Sequence, residues 1–196
     1  LAAAVAIFGH GCGQVGQAPS SPSGQTAQSA DPVDEIEVIP GARTVSTVYA
    51  KQMLDNMTSC TNLGQPSTQT KAEFENRRGS LSEFGYATKV TAPMMMGVTA
   101  VAGEVCNDLI EIERNLPANQ RNIFPGFDFS ASGSVSSGDI QDSSARLAIS
   151  CWQRNTESAE RQLVSDAVAG ETLEKTEAAA LLLCKGMLSS LSAIDI

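Results

Sequence analysis

The sequence predicts an all-α fold, a bundle of five or six helices that follows a disordered N-terminal tether. Three observations indicate this architecture. Apolar residues recur at helical spacing in several segments after residue 41. Residues 13–32 are rich in Gly, Gln, Ala, Pro and Ser, a composition typical of a flexible tether. The chain shows no internal repeat of solenoid length, so a helical bundle is the simplest arrangement of these segments.

Helical spacing and capping residues set the predicted helix boundaries. Thr70 and Thr156 are the predicted N-caps of the second and fifth helices, and Gly170 ends the fifth. In the fifth helix, four residues are predicted to point inward: Leu163, Val164, Ala167 and Val168. The predicted helices span residues 42–57, 70–84, 92–115, 139–154, 157–169 and 171–191. The third is predicted to be central, because its apolar stripe is the strongest: Val98, Val101, Ala102, Val105, Cys106, Leu109 and Ile112.

Length indicates the number of domains, and net charge indicates which kinds of partner the protein can bind. The 196 residues suffice for one domain with a hydrophobic core. The formal net charge is −9 and the only cluster of basic residues is the pair Arg77-Arg78, which argues against a nucleic-acid partner. An acidic protein surface also disfavours direct docking on an anionic membrane. We therefore expect no membrane contact through the surface of the folded domain itself.

The N-terminal region divides into two predicted segments before the helical domain of residues 41–196. Residues 1–12 are an apolar run followed by small residues and Cys12, and they form a predicted signal segment. Residues 13–40 form a predicted flexible linker. Within it, residues 33–40 alternate acidic and apolar side chains, which predicts either a short edge strand or a partner-binding segment.

The apolar run, the small residues and Cys12 resemble a bacterial lipoprotein signal, in which the Cys becomes the lipidated first residue of the mature protein. The resemblance implies that residues 1–12 are a signal and lipid-attachment segment, that Cys12 is lipidated, and that membrane contact runs through this lipid anchor only. It also implies a place in the bacterial cell envelope, anchored at the outer membrane and either periplasmic or surface-exposed. Cleavage after Gly11 or Ala18 by an ordinary signal peptidase is an alternative, and a buried first helix or strand is another. Residues 143–160 and 178–191 resemble a helical module of secreted bacterial proteins of unknown function.

The cysteines after Cys12 predict two disulfide bonds. Cys60, Cys106, Cys151 and Cys184 are an even number, and a periplasmic or extracellular compartment permits their oxidation. The preferred pairing is Cys60 with Cys106 and Cys151 with Cys184, because each bond then joins helices that are neighbours in sequence. Buried free thiols are the alternative. No two cysteines lie within four residues of each other, so we expect no zinc or other metal site.

Catalysis through an activated nucleophile requires a nearby base, usually an imidazole. The only histidine, His10, lies in the N-terminal segment. We therefore predict no enzyme activity, no catalytic residue and no cofactor. The acidic residues of the third helix that share one face are predicted to be a solvated surface rather than a metal site: Glu104, Asp108 and Glu111. Glu111 and Glu113 are candidates for ion pairs with Arg114 or Arg121.

Five residues are candidates for binding a partner: Phe124, Phe127, Phe129, Trp152 and Arg154. The three phenylalanines lie in a long irregular connection, residues 116–138, of a kind that is either packed by its own side chains or used for binding. Trp152 is predicted to close the end of the bundle. A binding hot spot is the alternative, because Trp and Arg are enriched at such sites.

These features together predict a non-enzymatic structural or interaction subunit, tethered through its N-terminus, whose partners are other envelope proteins of a larger assembly. Two alternatives stay open. The first is a hydrolase of cell wall or glycan that uses two carboxylates. The second is a helical bundle that binds a small ligand in an apolar cavity.

Overall fold

The computed structural model describes residues 49–81, 90–171 and 173–190. Over these ranges it confirms the predicted all-α bundle, with six α-helices and the short 3₁₀-helices Arg78–Ser80 and Ala118–Gln120. The α-helices are α1 (Ala50–Cys60), α2 (Thr68–Arg77), α3 (Ala92–Arg114), α4 (Ser137–Trp152), α5 (Ser158–Ala169) and α6 (Thr176–Leu188). Cys12, the predicted signal segment and the predicted linker lie outside the described residues, as do residues 42–48 of the first predicted helix.

The central helix is α3, because α1, α2 and α6 all pack on it. The Thr91 side chain caps its start by accepting the backbone N–H of Met94. The predicted apolar stripe is fully buried from Val98 to Cys106. Ile112 is an exception at 49% exposure, because the buried face near the end of α3 is formed instead by Ile110 and Glu113.

The start of α2 differs from the prediction. Ser67, not Thr70, is the N-cap, and its hydroxyl accepts the backbone N–H of Thr70 at 3.1 Å. Thr70 is buried within the first turn, where its hydroxyl donates to Asp108 Oδ2 at 2.7 Å. The Asp108 carboxylate also accepts the Ser67 backbone N–H at 3.1 Å. Asp108 therefore ties α3 to the start of α2 rather than belonging to a solvated acidic face.

The orientation of α5 corrects a second prediction. Val168 is buried and Val164 is partly buried, as predicted, whereas Leu163 is 72% exposed and Ala167 is also exposed. The buried face instead includes Ser165. The helix packs on α4 through polar contacts that include a 2.7 Å hydrogen bond between the Ser165 and Ser137 hydroxyls. Its cap is also not Thr156, since α5 begins with a capping box formed by residues 157 and 160.

The cysteines form two disulfides, but the preferred pairing was wrong. Cys60 bonds to Cys151 and Cys106 bonds to Cys184. The end of α1 lies against the end of α4, and α3 packs along α6. Neighbours in sequence are therefore not neighbours in space at these positions, and each bond joins helices that are far apart along the chain.

Candidate functional site

The phenylalanine segment is part of the protein interior. Phe124 and Phe127 are 0% and 1% exposed, and their rings meet edge-on with centroids 5.0 Å apart. Phe129 is half-buried, with its ring centroid 6.1 Å from that of Phe124. A partner cannot reach Phe124 or Phe127 in this arrangement, so their burial corrects the expectation that they contact one. Phe129 alone of the three retains accessible surface.

The buried carboxylate of Glu113 holds this segment in place. Glu113 is 3% exposed and accepts three backbone N–H groups, from Asn122 at 2.9 Å, Ile123 at 2.8 Å and Phe124 at 2.8 Å. The predicted ion pair with Arg114 or Arg121 is therefore replaced by hydrogen bonds to backbone. The sequence signal was a lone Glu on the apolar side of α3, four residues after Leu109.

Arg121 also holds this segment in place. Its guanidinium donates to the Leu116 carbonyl at 2.9 Å and to the Phe127 carbonyl, and it lies 4.9 Å from the centroid of the Phe129 ring. Hydrogen bonds from the side chain and backbone of Ser130 lower the pKa of Asp128. The segment is thus packed by its own side chains. Of the two roles that its length predicted, packing and binding, the structure shows packing.

Trp152 and Arg154 form a corner between α4 and α5. The Arg154 guanidinium lies 5.0 Å from the Trp152 ring centroid and donates two hydrogen bonds to the Glu160 carboxylate, at 2.9 and 2.8 Å. The Arg154 side chain, together with the Glu157 backbone N–H, lowers the pKa of Glu160 to about 2. Trp152 is half-buried, so this corner keeps some surface for a partner, although Arg154 is already bound within the chain.

A groove between α1 and α2 is the open apolar site that sequence reasoning missed. We call it the α1–α2 groove. Its volume is about 760 Å³, and it is lined by Tyr49, Ala50, Lys51, Leu54, Asp55, Thr58, Ser59, Gly64, Gln65, Pro66, Lys71, Phe74, Glu75 and Arg78. Both helices pack on α3. The turn at residues 64–66 lines it together with the two helices.

The floor and rims of the α1–α2 groove differ in chemistry. Leu54 and Phe74 provide buried apolar surface at its floor, and the Tyr49 side chain is 54% exposed at its edge. Each rim carries an ion pair. Lys51 binds Asp55 within α1 at 3.1 Å, and Arg78 of the following 3₁₀-helix binds Glu75 of α2 at 3.4 Å. These exposed pairs are weak, so the rim charges can exchange partners at little cost. An apolar floor between charged rims suits a peptide or helix with an apolar face.

A second groove lies between α3 and α6, with a volume of about 660 Å³. Three carboxylates line it, those of Glu111, Glu174 and Glu177. Arg114 spans this groove and binds Glu177 at 3.0 Å. These carboxylates are the candidate catalytic acids for the hydrolase alternative. Glu113 is not among them, because it lies outside this groove and accepts backbone hydrogen bonds.

Residues 49–81, 90–171 and 173–190 contain neither a metal-binding cluster nor a helix that could span a membrane. In these ranges, no three His, Cys, Asp or Glu side chains are arranged to hold a metal ion. None of the helices described there combines the length and apolar character needed to cross a membrane.

No family model matches the chain, and neither the curated proteins nor the solved structures include a significant match.

Proposed function

We propose that this chain is a non-enzymatic interaction module of the bacterial cell envelope, tethered through its N-terminus, that docks an apolar segment of another envelope protein in the α1–α2 groove. The observation that carries the proposal is the groove itself, with Leu54 and Phe74 at its floor and charged rims on both helices. Grooves of this kind bind helices or peptides through a row of apolar side chains.

Two further features support an envelope location. Two disulfides join distant parts of the chain, and such bonds persist mainly in oxidising compartments. The N-terminal sequence resembles a lipoprotein signal, which would attach the chain to the membrane through Cys12 and leave residues 13–40 as a spacer. Intact mass spectrometry of the protein from its own membranes tests this part. Acyl mass on a chain that begins at Cys12 would support it, and an unmodified Cys12 would contradict it.

The use of the carboxylates supports a non-enzymatic role. Glu113, Asp108 and Glu160 each accept hydrogen bonds that hold the fold together. The hydrolase alternative would depend on Glu111 and Glu174, beside the Arg114–Glu177 ion pair in the α3–α6 groove. Hydrolysis of peptidoglycan or glycan by the wild type, abolished in Glu111→Gln or Glu174→Gln, would overturn our proposal in favour of that alternative.

Site-specific photo-crosslinking in the native envelope tests groove docking. A photoreactive amino acid replaces Tyr49 or Lys71 at the groove, or Leu163 on the exposed face of α5 as the matched control. We expect Tyr49 and Lys71 positions to give adducts with the same envelope protein, and the Leu163 position to give none with it. Adducts of equal yield at all three positions, or no adduct from the groove, would contradict docking there.

A variant within the groove adds a second control. Tyr49→Ala removes an exposed side chain, so the fold should tolerate it. The crosslink from position 71 should then fall, because the partner loses an aromatic contact at the groove edge. Leu163→Ala removes a comparable exposed side chain away from the groove and should leave this yield unchanged.

A further inference from the structure

The two disulfides differ in their access to solvent. Cys106 and Cys184 are 0% exposed and belong to the hydrophobic core between α3 and α6. Cys60 and Cys151 are both partly exposed. A thiol reagent must reach a sulfur atom along the line of the S–S bond, so access decides which disulfide reacts while the protein stays folded.

The exposed disulfide fixes the wall of the α1–α2 groove that α1 provides. Cys60 is the last residue of α1, and Cys151 lies in the last turn of α4. The Ser150 hydroxyl donates to the Cys60 carbonyl beside the bond. The same helix contributes Lys51, Leu54 and other lining residues to the groove.

We propose that Cys60–Cys151 is a redox-responsive latch on the α1 wall of the groove. This inference rests on the proposed docking function, because it describes how the same groove is regulated. When the bond is closed, α1 is held to α4 at its end. When it is open, α1 is held by its apolar contacts and by its chain connection to α2, and its local opening becomes more frequent.

The chemistry requires a dithiol reductant, such as a dithiol oxidoreductase of the envelope. A thiolate of the reductant attacks one sulfur of Cys60–Cys151, forms a mixed disulfide and releases the other cysteine as a thiolate that takes up a proton. The second thiol of the reductant then attacks the mixed disulfide. Two electrons pass to the cysteine pair, which ends as two thiols, and the reductant ends as a disulfide.

The positions of Cys60 and Cys151 affect which reductants open the bond between them. Each lies at the C-terminal end of a helix, where the helix dipole disfavours a thiolate. The released cysteine is therefore a poor leaving group, and monothiols open the bond slowly. A dithiol resolves the mixed disulfide within one molecule. Cys106–Cys184 stays closed and keeps α3 joined to α6, so opening is confined to α1.

Graded reduction of the full chain with dithiothreitol tests the latch. Thiols freed at each concentration are alkylated and assigned by peptide mass spectrometry, and amide hydrogen exchange is measured on the same samples. We expect Cys60 and Cys151 to be alkylated first, with exchange in α1 rising about tenfold or more while α3 and α6 stay protected. Simultaneous alkylation of all four cysteines, or unchanged exchange in α1 after Cys60–Cys151 has opened, would overturn the proposal.

A serine variant separates the latch from the docking function. The double variant Cys60→Ser with Cys151→Ser represents the open state without any reductant. The photoreactive amino acid at position 71 is placed in this variant and in the chain with both disulfides, and the two crosslinking yields are compared. A change of about threefold or more in crosslinking yield is expected, because the α1 wall is no longer fixed. An unchanged yield would overturn regulation and leave docking intact. If neither protein crosslinks, the docking proposal is wrong, and so is the proposal that the disulfide regulates docking. The order of alkylation and the hydrogen exchange of α1 would still show whether Cys60–Cys151 opens first and loosens α1.

Discussion

The Glu113 carboxylate accepts the backbone N–H of Phe124 at 2.8 Å, at the point where the chain turns into the buried phenylalanine segment. Two preceding backbone N–H groups bind the other carboxylate oxygen. A buried backbone N–H group without an acceptor destabilises the fold. This segment forms no regular helix or sheet that would supply acceptors, and the Glu113 side chain of α3 supplies them instead. The interior position of Phe124 therefore depends on a charged residue eleven positions earlier.

Replacing Glu113 tests this dependence. In Glu113→Gln an amide N–H₂ group takes the place of one carboxylate oxygen, so at least one buried backbone N–H loses its acceptor. We expect the free energy of unfolding to fall by about 2–3 kcal/mol. The measurement is urea unfolding followed by circular dichroism with both disulfides intact. Glu111→Gln, on the exposed side of the same helix, is the control and should change the free energy by less than about 0.5 kcal/mol. Equal effects of the two substitutions would contradict the anchoring role.

The close approach of Gly126 to Asp139 gives a second prediction. A Cβ atom at position 126 would lie 2.0 Å from Asp139 Oδ1, so Gly126→Ala forces the Asp139 side chain away from its 2.6 Å hydrogen bond with Ser136. We expect a loss of about 1–3 kcal/mol. In the background of Asp139→Ala, the same substitution should cost at least about 1 kcal/mol less, which a double-mutant cycle measures directly. Additive effects would show that the two positions do not interact.

The all-α class was predictable because it depends on local periodicity. Val98, Val101 and Val105 recur at the spacing that buries one face of a helix, and all three are fully buried. The long predicted third helix matched α3 to within one residue at its end. Periodicity oriented α5 only in part, because Val168 is buried as predicted whereas Leu163 and Ala167 are exposed. The buried face of α5 contains Ser165, whose hydroxyl is satisfied by Ser137 on another helix.

Features that depend on tertiary contact were beyond the sequence. The pairing of Cys60 with Cys151 reflects how α1 lies against α4, which no spacing rule encodes. The α1–α2 groove likewise exists because two helices that are adjacent in sequence both pack on α3 and leave space between them. Trp152 and Arg154 were predicted as candidates from residue type, and the structure brings them into contact with each other. Whether either binds a partner stays a prediction.

The Arg154–Glu160 pair predicts a pH dependence of stability. The hydrogen bonds from Arg154 and from the Glu157 backbone lower the pKa of Glu160 from 4.5 to about 2 in the folded protein. A group with a lowered pKa in the folded state stabilises the fold at pH values above its unfolded pKa. Its contribution is lost as the pH falls from about 4.5 towards about 2, because the proton binds the unfolded chain more readily.

Thermal unfolding of wild type and Glu160→Gln between about pH 6 and about pH 2 checks this sign. The wild type should have the higher Tm at the upper end, and the difference should shrink as the pH falls. Arg154→Met should remove the same pH-dependent difference, because it removes the main donor to Glu160. A difference in Tm that stays constant over this range in both variants would contradict the assignment.

The end of α4 offers a stabilising substitution. Gln153 has a φ of 53°, in the left-handed region that side chains disfavour, and the backbone N–H of Arg154 closes the helix on the Ala148 carbonyl. Because glycine adopts this conformation without steric cost, Gln153→Gly should raise the free energy of unfolding by about 0.5–1 kcal/mol. Gln162→Gly, within α5 at negative φ, is the control. It also removes hydrogen bonds with Gln141 and Asp166, so it should lower the free energy of unfolding by about 1 kcal/mol or more. Urea unfolding of both variants distinguishes a local conformational cost at position 153 from a general effect of glycine, since the two changes are expected to have opposite signs.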